Sequence, residues 1–330
     1  FLLAGALFGG WAAWIALLYM TLLVAGVDAF VPALTRDGVA AEDDEADLLS
    51  RVLVGAHFTL LLWMVWALSG GGTRLFSITG IALFTATGLF MGQVSNSNAH
   101  ELIHRGGRGL RWAGKWVYIS LLFGHHASAH SLVHHTHVGT PQDPNTSRIN
   151  ESFYHFARRA WLGSFTAGLR AEERRLAQIG VDRWDMRHPY LLYIGGAALL
   201  LLVSYVVAGW RGVLVHLLLA GFAQAQLLLS DYVQHYGLER AQREDGSYEP
   251  VDARHSWNAP HWLSSLWMLN APRHSDHHAH PATRYTALEI PARGAAPMLP
   301  HSLPVMACIA LWPKLWEKVM APHVDAWRSA

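Results

Sequence analysis

The stretch LFSITGIALFTATGLFMGQVSNSNAHELIHR, residues 75–105, joins an apolar run to a pair of histidines. Residues 75–94 carry no charged side chain, and a helix of about 20 residues is long enough to cross a bilayer. His100 and His104 follow at positions four apart, so both rings lie on one face of a helix that continues beyond the span. The stretch therefore predicts a membrane-spanning helix with two imidazoles beyond one end.

Other apolar runs predict further spans of similar length. They cover residues 11–27, 52–68, 189–208 and 212–230. Residues 1–8 resemble the end of one more span, and the chain starts without Met, so we expect about six spans in the complete protein. A signal peptide over residues 1–27 is disfavoured, since the segment lacks a basic start and a small-residue cleavage pattern. The sequence thus predicts an all-α polytopic membrane protein, with residues 1–330 forming a single integral-membrane domain.

The amino-acid composition excludes several classes of function. Only 15% of the 330 residues are charged, against about 25% in soluble domains. A formal net charge of +1 does not fit a nucleic-acid-binding surface. Cys308 is the single cysteine, which excludes internal disulfides, cysteine-rich zinc sites and a self-contained iron–sulfur cluster. Any metal is therefore held by nitrogen and oxygen, and the 21 histidines are the obvious source.

The positive charges predict the orientation in the membrane. If the spans alternate, loops 69–74 and 209–211 face one side and carry only Arg74 and Arg211 out of 25 Lys and Arg. The opposite side, with segments 28–51, 95–188 and 231–330, is then cytoplasmic by the positive-inside rule. We expect a multi-pass protein of the bacterial inner membrane with its histidine clusters in a cap on the cytoplasmic side.

Histidines recur in the segment HSLVHH, residues 130–135. In α-helical geometry His130 and His134 share one face, whereas His135 points about 100° away from its neighbour. Adjacent ligands that point in different directions suggest two metal ions.

A third cluster lies in RHSDHHAHP, residues 273–281. His274, His277 and His278 have the i, i+3, i+4 spacing of one helix face. His235, which follows the last long run, is a lone candidate at the same level.

Each histidine pattern, taken alone, also has a structural explanation that involves no metal. One pair of histidines four apart is a weak signal, but three clusters on the same side of a membrane are hard to obtain by accident. His57 and His216 lie within spans, where hydrogen-bonded core positions are expected. Imidazole suits zinc, copper, iron and nickel alike. The carboxylates expected to hold ring tautomers around the metal ligands are Glu101, Asp143, Asp231 and Asp276.

Taken together, these motifs resemble the membrane-bound non-haem diiron oxygenases with histidine boxes. The similarity is greatest to bacterial alkane 1-monooxygenases, and more distant to xylene monooxygenase and the fatty acyl desaturases. It covers nearly all of the chain. The segments that carry it are NAHELIHR (98–105), HSLVHHTHVGTPQDPNTSR (130–148), YVQHYGL (232–238), HSWNAP (255–260) and RHSDHHAHPATRY (273–285).

The resemblance implies O2-dependent hydroxylation of a terminal methyl group to a primary alcohol at two iron ions. Its apolar substrate would enter from the membrane lipids, and its electrons would come from rubredoxin and a rubredoxin reductase. Carried over by position, the family's ligands are His100, His104, His130, His134, His135, His235, His274, His277 and His278.

Two positions depart from the pattern of alkane hydroxylases. Ala129 and Gln234 stand where those enzymes usually have glutamate beside metal ligands. Such carboxylates orient imidazoles or deliver protons. The departures leave open a substrate with an aryl methyl group or a functionalised chain.

Other functions remain as alternatives. A fatty acyl desaturase would use a similar metal site, although desaturases often have a four-residue gap in the first box where HELIH has three. A metal transporter predicts ligands near the membrane midplane, and a haem carrier predicts histidines paired across spans, for which only His57 and His216 are available. An arginine-rich segment could attract a small acidic partner, or could reflect orientation alone. Its arginines are Arg158, Arg159, Arg170, Arg174 and Arg175.

Overall fold

The computed structural model describes residues 1–31, 43–292 and 294–329. Within these ranges the long elements are all helices, and the only β-pairing consists of isolated bridges, which confirms the all-α expectation. In chain order the helices are α1 (Leu2–Phe8), α2 (Gly10–Phe30), α3 (Asp43–Leu68), α4 (Ile78–Ile103), α5 (Arg108–Ser120), α6 (residues 126–137), α7 (Phe153–Gln178), α8 (Pro189–His235), α9 (Trp262–Trp267), α10 (His274–Ala279), α11 (Leu303–Ala310) and α12 (Pro313–Arg328).

Four of the described helices are long and apolar enough to cross a membrane, namely α2, α3, α4 and α8. Four of the five predicted spans fall within them, and the fifth, residues 75–94, begins three residues before α4. The runs 189–208 and 212–230 share α8, whose backbone leaves helical geometry at Ala208 and Gly209. Gly209 has a φ of 61°, a conformation that glycine adopts without the strain a Cβ atom would cause. The count of six spans and the cytoplasmic orientation stay predictions.

The chain forms two compact units. The first comprises the described residues of Phe1–Gly26, Glu42–Ala127 and Arg183–Gln226. The second comprises those of Val27–Ala41, Ser128–Asp182 and Leu227–Ala330. The first unit contains most of the long apolar helices, and the second contains the second and third histidine clusters.

Small residues bring helices together in the first unit. A Cβ atom on Gly88 of α4 would lie 2.1 Å from the Phe222 ring of α8, and one on Gly92 would lie 2.2 Å from the Gln226 amide. The close approach lets Gln226 donate a hydrogen bond to the Gly88 carbonyl at 2.8 Å. Glycine at these two positions therefore sets the distance between α4 and α8.

Two buried histidines of the first unit join three helices through one serine. His57 Nε2 of α3 lies 2.7 Å from Ser120 Oγ of α5. His216 of α8 contacts the Ser120 carbonyl through Nε2 at 2.6 Å and Ser204 Oγ through Nδ1 at 2.7 Å. Both imidazoles are therefore hydrogen-bonded core groups, as expected for polar residues inside spans.

Aromatic residues build the core of the second unit. The Tyr232 ring of α8 packs against Phe156 of α7 and Trp316 of α12, with centroids 5.4 Å and 5.2 Å away. Its hydroxyl donates to the Glu151 carbonyl at 2.7 Å. Because Tyr232 precedes His235 by less than one helical turn, this packing fixes the end of α8 at the histidine cluster.

Asn258 anchors the short helix α10. Its Oδ1 accepts hydrogen bonds from the Ser275 backbone N–H at 3.1 Å and from Ser275 Oγ at 3.0 Å. The Asn258 N–H donates to the Pro297 carbonyl at 3.0 Å. The motif HSWNAP thus positions the first turn of α10, which begins at His274.

Candidate metal centre

Four histidines from three helices converge inside the second unit. Their nearest ring nitrogens all lie within 4.8 Å of one another, and all four side chains are buried. They are His134, His235, His274 and His278.

The spacing of the ring nitrogens fits coordination of one ion. His274 Nε2 lies 3.0 Å from His235 Nε2 and 3.2 Å from His278 Nε2. Two nitrogens that each bind an ion at about 2.1 Å, separated by a tetrahedral or octahedral angle, lie about 3.0–3.4 Å apart. His134 Nε2 is buried with no hydrogen-bond partner among the described residues, which is costly unless an ion takes that nitrogen. These four residues therefore suit a metal ion.

A π-helical turn decides which histidines of the second box lie together. Residues His130–His134 form this turn, in which backbone hydrogen bonds join residues five apart rather than four. His130 Nε2 consequently lies 2.9 Å from His135 Nε2, while His134 points into the four-histidine cluster. The prediction that His130 and His134 share one face assumed α-helical periodicity, which this π-helical turn changes. The expectation that adjacent His134 and His135 point to separate groups agrees with this arrangement.

His277 belongs with His130 and His135. Its Nε2 lies 3.1 Å from His135 Nε2, and its ring stacks near His130 with a centroid separation of 6.1 Å. The third box is therefore divided, since His274 and His278 belong to the buried cluster. His274, His277 and His278, which the i, i+3, i+4 spacing placed on one face, therefore contribute to two groups of ring nitrogens.

Asp143 holds the ring of His134. The His134 Nδ1–H donates to Asp143 Oδ2 at 2.8 Å, so Nε2 is directed at the other three imidazoles. Burial lowers the pKa of His134, but the charge and hydrogen bond of Asp143 outweigh it, so the pKa is raised overall. Burial likewise raises the pKa of Asp143, yet the His134 contact brings the net pKa below its ordinary value. A carboxylate that fixes the tautomer of a ligating imidazole is a common feature of metal sites.

Asn145 connects two of the predicted carboxylates. Its backbone N–H donates to Asp143 Oδ1 at 3.0 Å, and its Nδ2 donates to Asp231 Oδ2 at 2.6 Å. Thr146 Oγ1 adds a third hydrogen bond to the Asp143 carboxylate at 2.8 Å. Sequence reasoning missed Asn145 and Thr146, although the turn-forming segment DPNTS signals side chains that bond to nearby backbone.

The electrostatics of His278 differ from those of His134 and favour a neutral imidazole. Burial lowers the pKa of His278 well below its ordinary value, and the neighbouring imidazoles lower it further. Neutral imidazole is the form that binds metals.

The first box lies in the other unit. His100 lies in the last turn of α4 and His104 follows the end of the helix, with ring centroids 5.2 Å apart, as the i, i+4 spacing predicts. Glu101 forms a buried ion pair with Arg105.

Asp276 differs from the other predicted carboxylates. It accepts hydrogen bonds from His280 Nδ1 at 2.9 Å and from the Glu289 N–H at 2.8 Å. Its predicted contact with a metal ligand stays a prediction.

The two departures from the alkane-hydroxylase pattern have distinct surroundings. Gln234 is buried, accepts a hydrogen bond from Ser230 Oγ at 2.7 Å and donates to the Ala271 carbonyl at 3.2 Å. This amide therefore connects the end of α8 to the segment before α10. Ala129 is buried one residue before His130.

Comparison with known proteins supports the resemblance seen in the motifs. Residues 74–310 match the fatty acid desaturase family. Alkane 1-monooxygenase 2 of Pseudomonas aeruginosa is 32% identical over 95% of this chain and 84% of its own length. Alkane 1-monooxygenase of Ectopseudomonas oleovorans is 34% identical over 85% of this chain and 69% of its own length.

A more distant relative has a different substrate in its name. The xylene/toluene monooxygenase hydroxylase component XylM of Pseudomonas putida is 28% identical over 69% of this chain and 60% of its own length. With these matches and the clustered histidines, the chain belongs to the alkane 1-monooxygenases within the fatty acid desaturase family.

Proposed function

We propose that this protein is an O2-dependent monooxygenase that converts a terminal methyl group of an alkane or similar apolar chain to a primary alcohol. The observation that carries the proposal is the convergence of four buried histidines in a chain that belongs to this enzyme family. Imidazole nitrogens suit iron as well as zinc, copper and nickel, and the choice of iron in this proposal comes from the family resemblance.

The ligand set of the proposal is the nine histidines of the sequence boxes. The buried cluster of His134, His235, His274 and His278 holds one ion. The remaining five histidines complete the nine ligands proposed for two ions, and they are His100, His104, His130, His135 and His277. Four or five imidazoles for each ion leave coordination positions open for reactants, unlike a closed structural site.

Two iron ions, when bound, supply the O2 activation that hydroxylation of an unactivated methyl group needs. The protein's own residues orient and shield that chemistry. Asp143 keeps the proton of His134 on Nδ1, and Asn145 together with Thr146 keeps the Asp143 carboxylate in place. Burial of the imidazoles excludes bulk water from the ligand atoms.

The reaction requires electrons from another protein. Cys308 is the chain's single cysteine and cannot support an iron–sulfur cluster. Rubredoxin and a rubredoxin reductase are the donors in this proposal, as the resemblance to alkane hydroxylases implies. The apolar substrate reaches the enzyme through the inner membrane, with the metal centre on the cytoplasmic side. Many side chains of the candidate spans, such as Trp11, Leu22 and Leu202, are exposed apolar groups suited to lipid contact.

A second substrate class has specific support. Gln234 and Ala129 replace carboxylates usual in alkane hydroxylases, and XylM is among the relatives. An aryl methyl group is the corresponding alternative substrate for the same hydroxylation.

The test uses purified protein in lipid nanodiscs, loaded with iron and supplied with NADH, rubredoxin and its reductase. We expect about two irons per chain by mass spectrometry and O2-dependent formation of 1-octanol from octane by gas chromatography. Formation of benzyl alcohol from toluene, with no octanol formed from octane, would indicate that the substrate is an aryl methyl group. Less than one metal ion per well-folded chain, with neither alcohol formed, would refute it.

A further inference from the structure

A cavity of about 230 Å³ lies in the second unit next to the buried cluster. Arg148, Glu239, Arg240 and Tyr248 are among its lining residues, and Asp143 forms part of its wall. Arg148 and Glu239 are exposed, whereas Asp143 is buried. The cavity therefore extends from a charged rim to a carboxylate of the candidate metal centre.

The distance from cavity wall to metal ligand is short. Asp143 Oδ2 accepts the hydrogen bond of His134 Nδ1 at 2.8 Å, and His134 Nε2 belongs to the four-histidine cluster. One carboxylate and one imidazole thus separate the cavity from the position proposed for an ion.

The rim of the cavity is positively charged. The Arg240 guanidinium is held by the carbonyls of Glu249, Thr136 and Val138, so its position is fixed without a carboxylate hydrogen bond. The acidic residue of the rim, Glu239, is ion-paired with Arg328 at 2.9 Å. Arg148 and Arg240 therefore leave the rim with a net positive charge.

Two arginines of α7 are already paired with carboxylates of the protein. Arg159 pairs with the buried Glu151 at 2.7 Å, and Arg175 pairs with Glu172 at 2.7 Å. The charges of these two arginines are compensated by neighbouring carboxylates, whereas Arg148 has no side-chain ion pair among the residues that the structure describes.

We infer that this cavity is the docking site of an acidic one-electron carrier protein, one of whose carboxylate side chains enters between Arg148 and Arg240. The inference rests on the proposed function. Hydroxylation balances as R–CH3 + O2 + 2 H⁺ + 2 e⁻ giving R–CH2OH + H2O. Two reduced carriers each give up one electron at the cavity, through Asp143 and His134, and leave oxidised. Complementary charge at such a rim speeds association and weakens with salt.

The experiment measures carrier dependence with the iron-loaded enzyme in nanodiscs. The probe is an acidic rubredoxin kept reduced by NADH and reductase, and the readout is octanol formation. Arg148→Glu reverses one rim charge, and Arg158→Glu reverses an exposed arginine on α7 as the matched control. At low salt we expect Arg148→Glu to raise the KM for rubredoxin about tenfold and to leave kcat at saturation within about twofold. Arg148→Lys should recover most of the wild-type KM, and the difference should shrink as salt is added.

Iron content of each variant, measured in parallel, separates docking from folding. If the wild type is active and Arg148→Glu has the KM of Arg158→Glu, the docking inference is wrong while the proposed function stands. A loss of kcat or of iron in Arg148→Glu, with KM unchanged, also overturns it, since it would indicate a structural role. If the iron-loaded wild type forms no alcohol from either octane or toluene, the proposed function fails, and this inference fails with it.

Discussion

Replacing Asp143 with asparagine tests whether this carboxylate positions a metal ligand. Its two oxygens accept three hydrogen bonds, from His134 Nδ1, Thr146 Oγ1 and the Asn145 N–H. An asparagine of the same size has a single acceptor oxygen. If that oxygen serves His134 and Thr146, the new amide NH2 faces the Asn145 N–H and one buried hydrogen bond is lost.

The magnitude follows from these contacts. One lost buried hydrogen bond costs about 1–3 kcal/mol of folding free energy. Loss of the negative charge beside His134 weakens the ring as a ligand, and changes of this kind typically cost about 10–100-fold in metal affinity. We therefore expect Asp143→Asn to raise the iron dissociation constant by that factor, which corresponds to about 1.4–2.8 kcal/mol.

The assay is competition for iron between the purified protein and a chelator of known affinity, read as metal per chain by mass spectrometry. Asp276→Asn is the matched control, because the Asp276 carboxylate bonds His280 and the Glu289 N–H. The control should keep the wild-type dissociation constant within about twofold. Wild-type affinity in Asp143→Asn, or an equal loss in the control, would refute the positioning of His134 by Asp143.

The other predictions concern the ligands and the two cores. His134→Ala should lose iron and octanol formation, and a chelator should no longer lower its melting temperature, since a metal bound only to the folded state stabilises it. The exposed His323→Ala should behave like the wild type in all three measurements. Equal behaviour of the two variants would contradict the ligand role of His134. Arg159→Met should cost about 1.5–3 kcal/mol at pH 7 through its lost hydrogen bonds to Glu151. Burial raises the pKa of Glu151, but the Arg159 hydrogen bond and others bring it below its ordinary 4.5, so the difference in thermal stability between variant and wild type should persist above pH 4.5 and shrink as pH falls further; a pH-independent difference would exclude the ion pair as its source. His216→Leu should lower the melting temperature without altering iron per folded chain, because it strands the polar groups of two serines inside the first unit; unchanged stability would show that this network contributes nothing.

Local patterns in the sequence were enough to predict the helical class and the clustered histidines. Apolar runs of about 20 residues have one low-energy solution in a bilayer, the helix, because it satisfies every backbone hydrogen bond internally. The break at Gly209 falls in the loop 209–211 that was predicted between two apolar runs. This loop contains glycine and a charged residue, which disfavour a continuous span. Imidazoles at i, i+4 spacing in the first box share a face by helix geometry alone, and the structure has His100 and His104 in that arrangement.

Residues in the loop after the second box could be found only in part from sequence. Asp143 was predicted to hold a ring tautomer, but its partner His134 lies nine positions away, beyond any periodic pattern. Asn145 was missed entirely, since its role depends on Asp231, which lies 86 positions further along the chain.

By itself the sequence indicated which histidines are candidate metal ligands and placed them at or beyond the ends of apolar runs. Tertiary structure alone decided how they are grouped. A π-helical turn shifts the side-chain period of the second box, so that His130 joins His135 and His134 joins His235. That grouping depends on how α6, α8 and α10 pack around the ligand atoms, because these contacts join residues far apart in the chain.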